Sequence, residues 1–347
     1  MNVVSDIETV RRVADLFAIS APALSVVPFG RGHINETFLV STGPDEHVDE
    51  YVVQRLNRVV FGEPGPLMDN LVVVSAHLNG RFVPAPVPAR PGGWLVHDGG
   101  EAWRAWHRVP GAETIDAATP QQAASAAHLL GRFHGALAGL DPALVQQTLP
   151  RFHDPQRRLA DLRRIVAADP CGRAAAAAAE IEAAFGAAPL AQIARDFADR
   201  VPVRVAHNDA KLDNVLYRDG EAVCLVDLDT IMPTAWFWDV GDLLRTASTR
   251  VAEDDAHPER AFADPARYRG VLDGYRSGIS SATTLEGAEI EALEHAGAIV
   301  TYEQALRFLT DWIAGDVYYA TTRPGQNLDR ARHQLHLLAS MPGTVRP

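Results

Sequence analysis

Over the first hundred positions, apolar residues alternate with polar ones in short runs. Residues 23–29, 37–41 and 51–56 are rich in β-branched and aromatic side chains, and Gly-rich or acidic turns separate them. That pattern predicts an antiparallel meander. Residues 67–78 form a continuous apolar segment that follows Pro66 and closes on Asn79-Gly80, as one buried helix would. Residues 94–97 and 102–109 add two more strands. From Thr119 onward the apolar period becomes helical. Thr119-Pro120 is a helix start, with threonine as cap and proline at the first helical position, and this helix is expected to run to about Leu140. The Ala-rich stretch 173–200 reads as a strong helix former, and further helices are expected over 265–278, 285–315 and 327–341. No internal repeat is present. The break falls near Pro110-Gly111, so the expected organisation is α+β: a small, mostly antiparallel β lobe over 1–109 and a large, mostly helical lobe over 110–347.

Charge and composition narrow the function. The 347 residues carry a formal net charge of −12, which excludes a basic nucleic-acid binder. Cys171 and Cys224 are far apart and lack the paired spacing of a zinc site. The N-terminus has no basic region before an apolar core, and no apolar run approaches the roughly 18 residues that span a bilayer. A cytoplasmic protein that works without a membrane is expected. Lys211 is the only lysine in the chain, so a P-loop of the Gly-x-x-x-x-Gly-Lys form is excluded.

Around that lysine the sequence reads His207-Asn-Asp209-Ala-Lys211-Leu-Asp-Asn214, and Asp227 and Asp229 follow at the end of the apolar run from Val223. A polar loop, a strand, an Arg218-Asp-Gly-Glu221 turn and a second strand would bring Asp209, Lys211, Asn214 and Asp227 around one small volume. Two carboxylates, an amide oxygen and an ammonium suit Mg²⁺ and a triphosphate. Upstream, Phe29-Gly30-Arg31-Gly32-His33-Ile34-Asn35 places glycines between two strands, where backbone N–H groups can approach an anion closely. It is no dinucleotide fingerprint, because the third glycine is missing and a strand follows.

The spacing of Asp209, Lys211, Asn214 and Asp227 resembles the catalytic loop and magnesium aspartate of protein kinases and of the aminoglycoside phosphotransferase-like small-molecule kinases. The resemblance implies a bilobal protein-kinase-like fold, with ATP and Mg²⁺ as cofactors. It makes Asp209 the orienting base for an acceptor hydroxyl and Lys211 a contact to the γ-phosphate. Asn214 and Asp227 would hold Mg²⁺, with Asp229 touching a second ion. Gly30, Gly32, His33 and Asn35 would cover the nucleotide. The N-lobe cation of such kinases is normally lysine; here Arg55 is the candidate, with Asp69 as its acidic partner. His207 and the Leu130-Gly131-Arg132-Phe133-His134 segment are expected to pack, and Asp239 to brace the catalytic loop.

Gly32-His33-Ile-Asn35-Glu-Thr-Phe38, Gln54-Arg55-Leu-Asn57, the His207-Asn-Asp form, Asp227-Leu-Asp229-Thr and Arg307-Phe-Leu-Thr-Asp311 together resemble bacterial N-acetylhexosamine 1-kinases. This implies transfer to the anomeric hydroxyl of GlcNAc or GalNAc, with Arg307 and Tyr318 as acceptor contacts, in a monomer or homodimer. Two alternatives stay open: a kinase of the same fold for free hexosamine, an aminoglycoside or another hydroxylated amine, and a non-catalytic pseudokinase.

Overall fold

The computed structural model describes residues 6–30, 35–43, 48–58 and 62–343. Helix α1 (Ile7–Ala14) leads into the meander β1 (Ala23–Pro28), β2 (Glu36–Thr42) and β3 (Asp49–Arg55). After α2 (Gly65–Leu78) come β4 (Pro86–Val87), β5 (Val96–Asp98) and β6 (Glu101–His107). All strand pairs are antiparallel, in the order β1-β2-β3-β6-β4, with β5 on β6.

The two faces of this sheet have different partners, and the difference decides which side chains can reach a ligand. Phe38, Val40, Tyr51, Val53, Trp103 and Ala105 pack with Val10, Val13 and Phe17 from α1 and its exit. Arg55 is two and four positions from Val53 and Tyr51, so the period of two puts it on this α1 face. Gln54, paired across the ladder with Arg104 and Thr37, lies on the opposite face with Trp106, which belongs to the core shared with the helical lobe.

The helical lobe comprises α3 (Pro120–Leu137), α4 (Pro155–Ala168), α5 (Ala178–Gly186) and α6 (Pro189–Ala198), then the strands β7 (Arg204–Ala206), β8 (Val215–Arg218), β9 (Glu221–Leu225) and β10 (Met232–Thr234). It finishes with α7 (Phe237–Ala247), α8 (Pro265–Ile279), α9 (Gly287–Ala314) and α10 (Gln326–Ser340). The start of α3 is a full capping box: Gln122 N–H donates to Thr119 Oγ1 at 3.2 Å and Thr119 N–H to Gln122 Oε1 at 2.9 Å. The Ala-rich stretch is not one helix. Pro189 has no N–H to continue the ladder, so α5 ends at Gly186 and proline opens α6 at its first position.

Helices α3 and α8 cross in close contact. A Cβ at Gly131 would meet the Tyr275 carbonyl oxygen at 2.5 Å and the Ile279 nitrogen at 2.8 Å. Gly131→Ala is therefore expected to cost about 1–3 kcal/mol by overpacking. Thermal melting checks this; an unchanged midpoint would mean that the two helices can separate freely. Among the described residues, no helix is long and apolar enough to cross a membrane.

Candidate active site

Strands β7 and β10 pair, Ala206 opposite Met232, and between them the chain runs through the loop 207–214, the β8–β9 hairpin and a short turn over 228–230. A loop this polar needs partners for its backbone, and Asn208 and Asp239 supply them. Asn208 sits in the left-handed region at φ 66°, and its Nδ2 donates to the carbonyls of Ala206, Thr230 and Met232 at 3.0–3.2 Å. Asp239, at the first turn of α7, accepts from His207 N–H at 2.8 Å and from Asn208 N–H at 2.6 Å. Its Oδ2 also lies 2.8 Å from His134 Nε2, while His134 Nδ1 is 2.9 Å from the Tyr275 hydroxyl. Burial holds His134 below the ordinary imidazole range, so the neutral ring donates through Nε2 and accepts from Tyr275 at Nδ1. Asp239 is fully buried; burial works against its charge, but its hydrogen bond to His134 keeps it below the usual carboxylate range. Asp239 thus braces the loop, as expected, and His134 ties that brace to α3 and α8. His207 locks the far end: its Nε2 is 2.9 Å from the Val226 carbonyl, one residue before Asp227.

The brace sets up a short polar constellation. Asp209 Oδ2 accepts from Lys211 Nζ at 2.9 Å and from Asn214 Nδ2 at 2.9 Å, and Asn214 Nδ2 also reaches the Asp209 carbonyl at 2.8 Å. The amide nitrogen of Asn214 is committed, whereas its Oδ1 takes no hydrogen bond among the described residues. Burial alone would raise the Asp209 carboxyl, yet Lys211 holds it low, and burial alone would lower Lys211, yet Asp209 and then Asp227 raise it. Asp227 has a strained left-handed backbone, φ 60°, and is exposed. Desolvation by the surrounding chain, with repulsion from Asp229 and Asp209, pushes its carboxyl up to about 6. Such a carboxylate is poised for a cation. The donor set of Asn214 and Asp227 fits Mg²⁺, which takes one or two carboxylates and completes its shell with phosphate oxygens and water. No cluster of three His, Cys, Asp or Glu side chains suited to a metal occurs among the described residues, so this set would need such outside oxygens.

A family model described as the phosphotransferase enzyme family matches residues 25–271, from the first strand through this loop and into α8. The chain belongs to that family. Solved structures agree in fold over nearly the full length. This phosphotransferase is similar to an aminoglycoside phosphotransferase from Alicyclobacillus acidocaldarius at 15% identity, TM-score 0.65, covering 97% of this chain and 93% of that one. It is similar to amicoumacin kinase at 15% identity, TM-score 0.62, covering 99% and 96%. Choline kinase from Cryptosporidium parvum matches at 13% identity, TM-score 0.56, covering 95% and 93%.

The N-lobe of the phosphotransferase departs from sequence expectation. Arg55 does not pair with Asp69: it meets Glu36 at 2.5 Å and Glu101 at 3.6 Å, on the α1 face, and Asp69 is exposed on α2. The cation on the other face is Arg104, which ion-pairs with Asp229 in the buried contact between lobes. Asp229 also accepts from Asn35 Nδ2 at 2.7 Å, so both of its oxygens are engaged by the N-lobe. Gly30 lies at φ 81° just after β1; Gly32 and His33 lie outside the described residues.

Arg307 of α9 is close enough for its guanidinium to feel the Asp209 charge. It sits over the rings of Phe152 and Tyr319, 5.6 Å from each centroid, and among the described residues only Gln304 Oε1 accepts a hydrogen bond from it, at 3.3 Å. Tyr318 is 67% exposed beside it, and Asp311 holds the backbone N–H groups of 317, 318 and 319. Sequence reading missed three residues here. His153 bonds Glu303 at 2.9 Å and the Asn208 carbonyl at 3.2 Å, and Arg158 is held below its ordinary range by burial and by Arg307.

Proposed function

We propose that this phosphotransferase transfers the γ-phosphate of ATP, with Mg²⁺, to the anomeric hydroxyl of an N-acetylhexosamine, GlcNAc or GalNAc, giving the sugar 1-phosphate. The observation that carries the reading is the cluster of Asp209, Lys211, Asn214 and Asp227, with the basic, oxygen-binding groups of Arg307 and Arg158 on its acceptor side. Related structures support the cofactors: amicoumacin kinase was solved with AMP-PNP, Ca²⁺ and Ami, and a spectinomycin phosphotransferase with ADP and spectinomycin.

Asp209 would orient the hydroxyl and accept its proton late, because phosphoryl transfer asks mainly for positioning and charge neutralisation. Lys211 would set one positive charge beside the transferring phosphate. Asn214 Oδ1 and Asp227 would hold Mg²⁺, which neutralises charge on the phosphate oxygens when bound. Gly30, Gly32, His33 and Asn35 would close over the nucleotide.

The acceptor side favours a neutral, oxygen-rich molecule over a polyamine. Both buried acids there are already used, Glu303 by His153 and by Asp154 N–H at 2.7 Å and Asp311 by the backbone N–H groups of 317, 318 and 319. Arg307 and Arg158 have no carboxylate in ion-pair contact among the described residues; Arg158 reaches only the Phe152 carbonyl, at 3.4 Å. Guanidinium groups in this state donate to hydroxyl and carbonyl oxygens and repel ammonium groups. ADP formation across GlcNAc, GalNAc, free hexosamines, aminoglycosides and choline tests this. N-acetylhexosamines are expected to give the highest kcat/KM, and Arg307→Ala to raise the sugar KM about tenfold or more through loss of a charged hydrogen bond. Preference for a cationic acceptor would overturn the substrate assignment and leave the kinase assignment standing.

A further inference from the structure

Among the described residues, one ion pair joins the two lobes: Arg104 of β6 to Asp229, two residues beyond Asp227. Every group around it is fixed. Arg104 is 1% exposed; its Nε donates to Gln54 Oε1 at 2.9 Å, and its guanidinium lies 5.3 Å from the Trp106 ring centroid. Gln54 in turn accepts from Trp106 Nε1 at 3.1 Å and donates to Thr37 at 3.1 Å. Asp229 is 3% exposed, and Asn35, its second donor, accepts from Asn57 N–H at 3.0 Å. Strands β2, β3 and β6 therefore all converge on one carboxylate of the helical lobe.

Stability does not require such a pair. Replacing both partners of a buried ion pair with apolar groups of similar size is often neutral or stabilising, whereas removing one partner leaves an uncompensated charge. The position is what an apolar pair would not reproduce: a directional, two-donor grip on the end of the β8–β9 hairpin, where Asp227 is displayed in a strained backbone. The chain has no lysine in its N-lobe, and Arg55 is on the wrong face.

We propose that Arg104 and Asp229 form an interlobe latch, in which Arg104 is the positioning residue of the nucleotide site and Asp229 its counter-ion, not a ligand of a second metal. The latch sets the height of Asp227 beneath the N-lobe sheet. Asn35 and Gln54 hold its two halves in register. This rests on the nucleotide-site reading above, and its test separates the two.

The experiment compares the full chain with Arg104→Gln, Asp229→Asn and the apolar double variant Arg104→Met/Asp229→Leu. Melting temperature, calorimetric binding of Mg·AMP-PNP, and kcat with KM for Mg·ATP and for acceptor are measured. Each single variant is expected to weaken Mg·AMP-PNP and lower kcat/KM for Mg·ATP tenfold or more, with acceptor KM within twofold. The double variant is expected to regain the wild-type melting temperature but not nucleotide affinity or turnover. Recovery of affinity and turnover along with the melting temperature would reduce the pair to a structural role and overturn the proposal. So would single variants that bind Mg·AMP-PNP within twofold of wild type, or an Asp229→Asn that alone changes the number of metal ions needed. A wild-type chain that binds no Mg·AMP-PNP would instead overturn the nucleotide-site reading, and the latch's role with it.

Discussion

Asp209→Asn is expected to lower kcat by about 10²–10⁴, the range a positioned general base contributes, while Mg·AMP-PNP still binds with near wild-type affinity. The substitution keeps the shape of the side chain and one oxygen to accept from Lys211 or Asn214, so the loop should survive; Asp239, which braces it, is untouched. What is lost is the proton acceptor. Lys211 holds Asp209 ionised against the effect of burial, so wild-type turnover should show no loss from Asp209 protonation until the pH is below the usual carboxylate range. Steady-state kinetics with a calorimetric titration of the nucleotide checks both halves. Equal loss of kcat and of nucleotide affinity would mean that Asp209 serves binding instead of transfer.

The second large effect is at Asp227. Asp227→Asn is expected to reduce Mg²⁺-dependent turnover by about 10²–10³, as for removal of one preorganised electrostatic group, yet to raise the melting temperature of the metal-free protein. The sign follows from its pKa. At about 6 in the fold against 3.8 for an unperturbed carboxyl, the folded state binds this proton more tightly than the unfolded state does. The charge therefore disfavours the fold above about pH 6, and this cost fades as pH falls toward 3.8. Asparagine removes the cost, so the variant's advantage should be present at pH 7.5 and gone near pH 4. A proton and Mg²⁺ compete for the same oxygens, so Mg²⁺ affinity in the wild type should fall as pH drops through about 6 and level off above it. A melting temperature lowered in Asp227→Asn at neutral pH would show that Asp227 has a partner in the free protein.

The polar cluster was legible because it is local: residues 207–227 carry Asp209, Lys211, Asn214 and Asp227, the groups proposed as base, phosphate contact and metal ligands, and only a hairpin is needed to gather them. The N-lobe cation was not, for a reason that lies in α1. Gln54 and Arg55 are adjacent polar residues on one strand, and a period of two says that they face opposite ways without saying which way is inward. Val10, Val13 and Phe17 settle it by covering the Arg55 face, and α1 is a short helix at the chain's start that the apolar pattern did not announce. An arginine amid the apolar run Ala-Trp-Arg104-Ala-Trp was the signal available for the cation that pairs with Asp229 across the lobes. The brace was half visible: Asp239 was, but its tie to His134 and the tie of His134 to Tyr275 bridge 105 and 141 residues of sequence, and only the packing of α3 on α8 reveals them.

Phosphorus NMR of the product formed from Mg·ATP and N-acetylglucosamine by the full chain tests the central claim most directly. The account predicts ADP together with a sugar phosphate whose phosphorus couples to the anomeric proton, and both formed about a hundredfold or more slower with Asp209→Asn. A phosphate on another hydroxyl would contradict the assigned acceptor position, and ATP left intact with every acceptor of the panel would contradict the account as a whole.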